Sequence, residues 1–453
     1  MARIVHAKTI DDRPLGFDVV NGRLSRVSIG TEDTGPVSPS ALIVPLAKAT
    51  DLGRLPESAV VDAGGATLVP GAVDCHVHSR DPGLTHKEDW HTLARGAWRG
   101  GVVGVADMPN TIPPMMTREA VLTKAAIARA SGIDFRLLLG VGAGNIDRVA
   151  ALLSDPELPL CALKVFYGRT TGELMYDDLE TLARSLPASG EKLIVFHSED
   201  QCTVDCNHAR LEFRTRSRDF AAFAVHSEIR SSEAAHASTR TILEWARTSY
   251  KRPIHIAHVS TPLEVELVAE ARARGVPVTC EVAPHHLLFS TDDYPRLGPL
   301  VKMNPPLRSP REVEDLCRLV GQGLVDVFAT DHAPHTLAEK RSEVARSPSG
   351  VPSVELFWPL VLEIVRRTGL PLAKAVAMST EVPARLFGFA GKGRLADGAD
   401  ADFVWLGDTE LVVRNEDVVS KCGWTPFDGW RLPRDVVATW TRGRQVHLSP
   451  KAP

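Results

Sequence analysis

Between residues 71 and 332 short apolar, β-branched runs alternate with longer amphipathic stretches, the pattern of repeated strand-then-helix units around a parallel sheet. Eight runs can be delimited, at 71–78, 102–108, 135–142, 162–167, 192–199, 254–260, 278–284 and 325–332. Helical periodicity between them is clear at 90–99, 262–274 and 310–320. Eight strands with intervening helices predict a closed (β/α)8 barrel, with a doubly wound open sheet as the alternative. Two further helical stretches, 354–368 and 372–387, are expected to close the barrel on its outside.

The flanks differ in kind. Residues 3–65 read as short alternating strands (3–7, 16–20, 24–29 and 59–62) broken by Gly, Asp and Pro turns, and 395–448 repeat that texture. Neither flank has enough apolar surface for a core of its own, so the two are expected to pair into one small β-sandwich beside the barrel. The expected organisation is therefore 1–65 and 391–453 in the β-domain and 66–390 in the barrel. Residues 38–57 read as a loop.

Composition narrows the function classes. The 453 residues are 44% hydrophobic and 24% charged, which excludes disorder and fibrous classes. A formal charge of −4, without long single-sign blocks, argues against nucleic-acid or membrane-surface partners. No apolar run approaches a membrane span, and the first residues do not resemble an export signal, so a cytosolic protein is expected. The seven cysteines are odd in number and scattered, several within apolar runs, and read as reduced.

Several of the sixteen histidines lie at the C-terminal ends of the apolar runs, which in a barrel form the active-site face. The first run ends in His76-Val77-His78-Ser79-Arg80, and a strand's period of two puts His76, His78 and Arg80 on one face. The fifth ends in His197-Ser198-Glu199, the sixth contains His255 and His258, and the eighth ends in Asp331-His332, with His335 beyond. Imidazole and carboxylate at four strand ends suit zinc or a similar divalent metal. His255 and His258 differ in parity, and His258, nearer the mouth, is the expected ligand. Lys164 lies within the apolar fourth run, where an uncompensated ammonium is costly. It either snorkels to water, pairs with a carboxylate, or takes up carbon dioxide as a carbamate able to bridge two metals.

These residues also carry a resemblance. His-Val-His-Ser-Arg-Asp-Pro-Gly-Leu-Thr-His-Lys-Glu-Asp (76–89), Asp-Met-Pro-Asn-Thr (107–111), Val-Thr-Cys-Glu-Val-Ala-Pro-His-His-Leu (278–287), Lys-Met-Asn-Pro-Pro-Leu-Arg (302–308) and Ala-Thr-Asp-His-Ala-Pro-His-Thr (329–336) resemble cyclic amidohydrolases of the dihydroorotase type, as does Gly-Ala-Asp-Ala-Asp-Phe (398–403). The resemblance implies a two-metal centre, usually zinc. His76 and His78 with Asp331 would hold one ion and His197 with His258 the other, bridged by N6-carboxylated Lys164. It implies opening and closing of a cyclic amide, with a metal-bridging hydroxide as nucleophile and Asp331 as general acid and base.

The resemblance also places Arg80 against a substrate carboxylate and Asn110, Asn304 and His335 against the carboxylate and ring amides. Arg80 favours dihydroorotate and N-carbamoyl-L-aspartate, since allantoinases commonly have Asn there and hydantoinases lack the Arg-Asp-Pro-Gly continuation. The expected activity belongs to pyrimidine synthesis. Alternatives are an allantoinase or other cyclic ureide hydrolase, and a non-catalytic partner of aspartate carbamoyltransferase; the six intact ligand positions speak against the latter. A homodimer or association with that transferase is the partner expectation. Departures are the glycine-rich second strand (101–105) and Thr170-Thr171-Gly172, which bear on a covering loop. His285 and His286 read at best as support for the site. Cys202, Cys206 and His208 lack a matching half for a metal site, and 210–218 and 340–346 read as solvated faces or mobile loops.

Overall fold

The computed structural model describes residues 2–30, 41–56, 59–169, 174–186 and 192–452. Residues 170–172, expected to shape a covering loop, lie outside them. All eight expected barrel strands are present: Ala72–Val77, Val102–Asp107, Asp134–Gly140, Leu160–Tyr167, Leu193–Ser198, Ile254–Ile256, Val278–Val282 and Val327–Phe328. They pair in chain order, and each ladder is parallel. A parallel bridge between Val77 and His332 closes the ring, with His78 N donating to His332 O at 2.8 Å. Asp74 reinforces the seam by accepting from Thr330 N at 3.1 Å. The sixth and eighth strands are shorter than their apolar runs because the chain leaves extended geometry at the site: His258 and Asp331 have φ of 33° and 46°.

Strand parity explains the two apolar layers. Leu163, Val165, Ile194 and Phe196 face outward into the core shared with the helices. Ala162, Leu193, Val195, Ala106 and Ala329 face inward in a smaller cluster. The expected helices occur as Trp90–Arg99, Pro262–Ala273 and Pro310–Gly321. Each begins at a capping box, Asp89/Thr92, Thr261/Glu264 and Ser309/Glu312, and the latter two carry Pro in their first turn.

Two expectations need correction. Residues 372–387 form two helices, Leu372–Ser379 and Glu381–Leu386, instead of one, because Pro383 has no N–H for Ser379 O and crowds the preceding turn. Ala384, Phe387 and Phe389 pack with Val73, Cys161 and Leu193, so this segment plugs the barrel's lower end and does not lie outside it. In the stretch expected to be a loop, Leu42–Pro45 is a strand paired in parallel with Ala59–Asp62. Its Leu42 and Ile43 are exposed at a sheet edge and show no burial alternation that would have revealed it.

The termini share one nine-stranded sheet. Thr67–Pro70 pairs antiparallel with Phe403–Leu406 and is separated from the first barrel strand by Gly71 alone. Lys392 Nζ lies 2.6 Å from Asp134 at the start of the third barrel strand and also pairs with Asp402. Among the described residues no helix is long and apolar enough to cross a membrane.

Candidate active site

Nine of the ten residues singled out from the sequence line one cavity at the C-terminal mouth of the barrel: His76, His78, Arg80, Asn110, Lys164, His197, His258, Asn304 and Asp331. His335 stands behind its wall, with Nε2 3.1 Å from Arg80 Nη2. Lys164 shares the inward parity of Ala162, and His197 that of Val195. An irregularity between Asp74 and Val77 lets both Cys75 and His76 reach the barrel interior.

Burial draws the pKa of His78 down to about 3 and lowers those of His197 and His258, which keeps these three imidazoles neutral. A neutral imidazole has one N–H, and here it is directed away from the cavity centre. His76 Nδ1 donates to Glu281, His78 Nδ1 to Asn110 Oδ1 at 2.7 Å, and His197 Nε2 to Glu199 Oε2 at 2.9 Å. The remaining ring nitrogens converge. His76 Nε2 and His78 Nε2 lie 3.4 and 3.1 Å from Asp331 Oδ1, and His197 Nδ1 lies 3.1 Å from His258 Nε2.

Ring nitrogens and a carboxylate oxygen facing one another at these distances suit a cation held between them. Ligands ~2.0–2.1 Å from a tetrahedral zinc are about 3.3 Å apart, so the observed edges fit. The group His76, His78 and Asp331 is the one cluster of three such donors brought together among the described residues. Lys164 adds a second observation. Its Nζ is fully buried without a hydrogen-bond partner, and burial pushes its pKa down to about 8. An amine in that state is chemically suited to carboxylation.

The other side of the cavity is polar but cationic. Arg80, 2% exposed with φ of 61°, donates from Nε to Pro334 O at 3.1 Å, and burial brings its pKa to about 10. Lys87 Nζ lies 3.1 Å from His335 Nδ1, and Ser349 O lies 3.1 Å from His335 Nε2. Asn304 Oδ1 accepts from His226 Nε2 at 2.9 Å. Beyond Arg80 and Asn110 the cavity opens into a cleft of about 670 Å³ walled by Leu84, Ile112, Pro114, Met116 and Leu174. Cationic recognition beside clustered imidazole and carboxylate is the chemistry of an anionic, hydrolysable substrate.

A family model described as the amidohydrolase family matches residues 67–446. The chain belongs to the amidohydrolase family. A dihydroorotase of Methanosarcina mazei is 36% identical over 411 residues, covering 87% of each chain. An allantoinase of Bacillus velezensis is 31% identical over 397 residues, covering 86% of this chain and 85% of its own. Among solved structures, an L-hydantoinase from Arthrobacter aurescens superposes with a TM-score of 0.87 at 24% identity, covering 100% of this chain and 97% of its own, which is a likeness of fold.

Sequence reasoning missed what organises this amidohydrolase site from below. Glu281 on the seventh strand, 1% exposed, accepts from His76 Nδ1, His255 Nε2 (3.1 Å), Cys75 Sγ (3.2 Å) and His258 N (3.2 Å). His255 therefore points into the barrel below the cavity. The available signal was a carboxylate in an otherwise apolar strand whose neighbours end in histidine. Glu199 was visible at a strand end but received no role; it holds His197 and lies 3.2 Å from Arg230 Nε. His285 and His286 are buried but do not line the cavity. Cys202 and Cys206 are exposed and free. The expectation for 340–346 fails at its first residue: Lys340 is fully buried.

Proposed function

We propose that this chain is a dihydroorotase, catalysing the reversible hydrolysis of the cyclic amide of L-dihydroorotate to N-carbamoyl-L-aspartate. The observation that carries the reading is the buried Arg80 guanidinium sharing one cavity with the His76, His78 and Asp331 cluster. A planar fork suits a carboxylate bidentately, and dihydroorotate carries one on its ring, unlike allantoin or dihydrouracil. The dihydroorotase relatives support the same substrate.

In this reading His76 and His78 with Asp331 would hold one divalent cation, zinc by the donor set, and His197 with His258 a second, with carboxylated Lys164 as a further ligand. Such cations, when bound, would supply polarisation of the amide carbonyl and a water nucleophilic near neutral pH. Arg80 fixes the substrate carboxylate, with His335 behind it, while Asn110 and Asn304 bound the ring. Asp331, ionised and set between two imidazoles, accepts a proton from the attacking water and returns it to the departing ring nitrogen. The C–N bond breaks as the new C–O bond forms, and cyclisation runs the same path backwards. The same reading places the chain in the cytosol, with a second copy or an aspartate carbamoyltransferase as its partner.

The allantoinase relative makes a ureide without a ring carboxylate the second reading. The test is turnover of dihydroorotate, allantoin and dihydrouracil side by side, on zinc-loaded and chelator-stripped protein, with bound metal counted. Selective, metal-dependent turnover of dihydroorotate is expected. A metal-loaded protein inert on dihydroorotate but active on allantoin sinks the assignment, and a mass lacking one added carbon dioxide sinks the Lys164 carbamate.

A further inference from the structure

Two lysines that the reaction does not use, Lys302 and Lys340, are buried behind the cavity wall. Lys340 Nζ donates to Lys302 O at 2.9 Å, Pro348 O at 2.9 Å and Gly350 O at 3.0 Å. Three carbonyl acceptors match the three N–H groups of an ammonium, whereas a neutral amine would turn its lone pair on one of them. Burial and the charges of Lys302 and Arg80 draw the Lys340 pKa down, and among the described residues no carboxylate lies within ion-pair distance of it. Lys302 Nζ donates in turn to Val344 O at 2.7 Å and to Ser347 O. Burying ammonium groups without a counter-charge is expensive, and an apolar side chain of the same volume would fill the space more favourably. The charge is therefore retained for what it holds.

What it holds is main chain. Ser349 and Gly350 line the cavity alongside Asp331 and Arg80. The Pro348 and Gly350 carbonyls are committed to Lys340, Ser349 O to His335, and Gly350 N to Lys302 O at 2.9 Å. This wall cannot be replaced by a side chain, because Gly350 has φ of 142° and a Cβ there would lie 2.5 Å from Ala333 O.

We infer that Lys340 is a positioning residue for the substrate: its three bonds hold the Ser349–Gly350 main chain as a rigid edge of the cavity against which the ring is set. The choice of assay substrate rests on the dihydroorotase reading. An edge met equally by ground state and transition state shows its loss in KM. A wall displaced by about 1 Å lowers kcat/KM by up to about a hundredfold.

The test compares wild type, Lys340→Met and Gly350→Ala for kinetics, bound metal and thermal stability. Both variants are expected to keep wild-type metal content, raise KM for dihydroorotate about tenfold or more, and lower kcat by less than about threefold. A folded Lys340→Met protein with wild-type KM, or one whose loss lies in kcat alone, overturns the inference. If Lys340→Met does not fold, wild-type KM in Gly350→Ala does the same. A wild-type protein inert on dihydroorotate refutes the functional reading instead, and the KM comparison is then decided on the ureide it does hydrolyse.

Discussion

Replacing Glu281 by Gln isolates the group that organises the site without touching a proposed ligand. Four donors converge on its two oxygens, from Cys75, His76, His255 and the His258 amide. Glutamine keeps the shape but has one carbonyl, so two of the four donors must face an NH2 group whichever way the amide turns. Hydrogen bonds to a charged group contribute about 1.5–3 kcal/mol each, so losing two costs about 3–6 kcal/mol. An unfolding entropy of about 2.1 cal/mol/K per residue gives roughly 1 kcal/mol/K for 453 residues unfolding together. The Tm of metal-free protein should therefore fall by about 3–6 °C. His76 also loses the partner that fixes its tautomer, so metal affinity by chelator competition should fall about 10–100-fold. Metal-free protein is needed for the thermal measurement because bound ion adds its own stabilisation. A Glu281→Gln protein with wild-type Tm and wild-type metal affinity would refute the reasoning.

Arg80→Asn should abolish measurable dihydroorotate turnover while bound metal stays unchanged, as read by kinetics and metal analysis; retained turnover removes Arg80 from carboxylate recognition. Glu339 tests a pH dependence away from the proposed ligands. Burial works to raise its pKa, but the Lys87 ammonium at 2.9 Å and the Thr336 amide bring it down to about 2. A carboxyl depressed on folding contributes stability that is present above its unfolded pKa and lost as pH falls from about 4.5 towards 2. Wild-type Tm should thus drop more steeply than that of Glu339→Gln over this range, and parallel Tm–pH curves would contradict it.

The barrel was legible because its strands are short apolar, β-branched runs and the stretches between them carry helical periodicity, both local signals. The site was legible to the extent that its groups sit at strand ends: His76, His78, His197 and Asp331 declare themselves by position. His258 was reached by choosing between two parities. Lys164 was visible as a charge in an apolar run. What escaped shares one physical cause. Glu281 and Lys340 act by hydrogen bonds to partners that sequence alone does not bring together, and Glu281 lies in mid-strand, away from the strand ends where function was sought. Lys340 ends a capped helical turn and precedes charged residues, so nothing nearby distinguishes it from a solvated lysine. The Leu42–Pro45 strand escaped because an edge strand with one neighbour need not alternate in burial.

The junction at Gly71 has a consequence for how the chain is made. Thr67–Pro70 leads directly into the first barrel strand, yet its antiparallel partner Phe403–Leu406 lies about 330 residues later. At a synthesis rate of about 5–20 residues/s that partner follows after roughly 15–70 s, during which the strand has an open edge. The barrel seam waits almost as long, since Val77 pairs with His332. Assembly on the ribosome is therefore gated from both ends of the chain. A protein truncated near residue 400 would carry every proposed catalytic group and still present an unpaired apolar strand to whatever protects nascent chains.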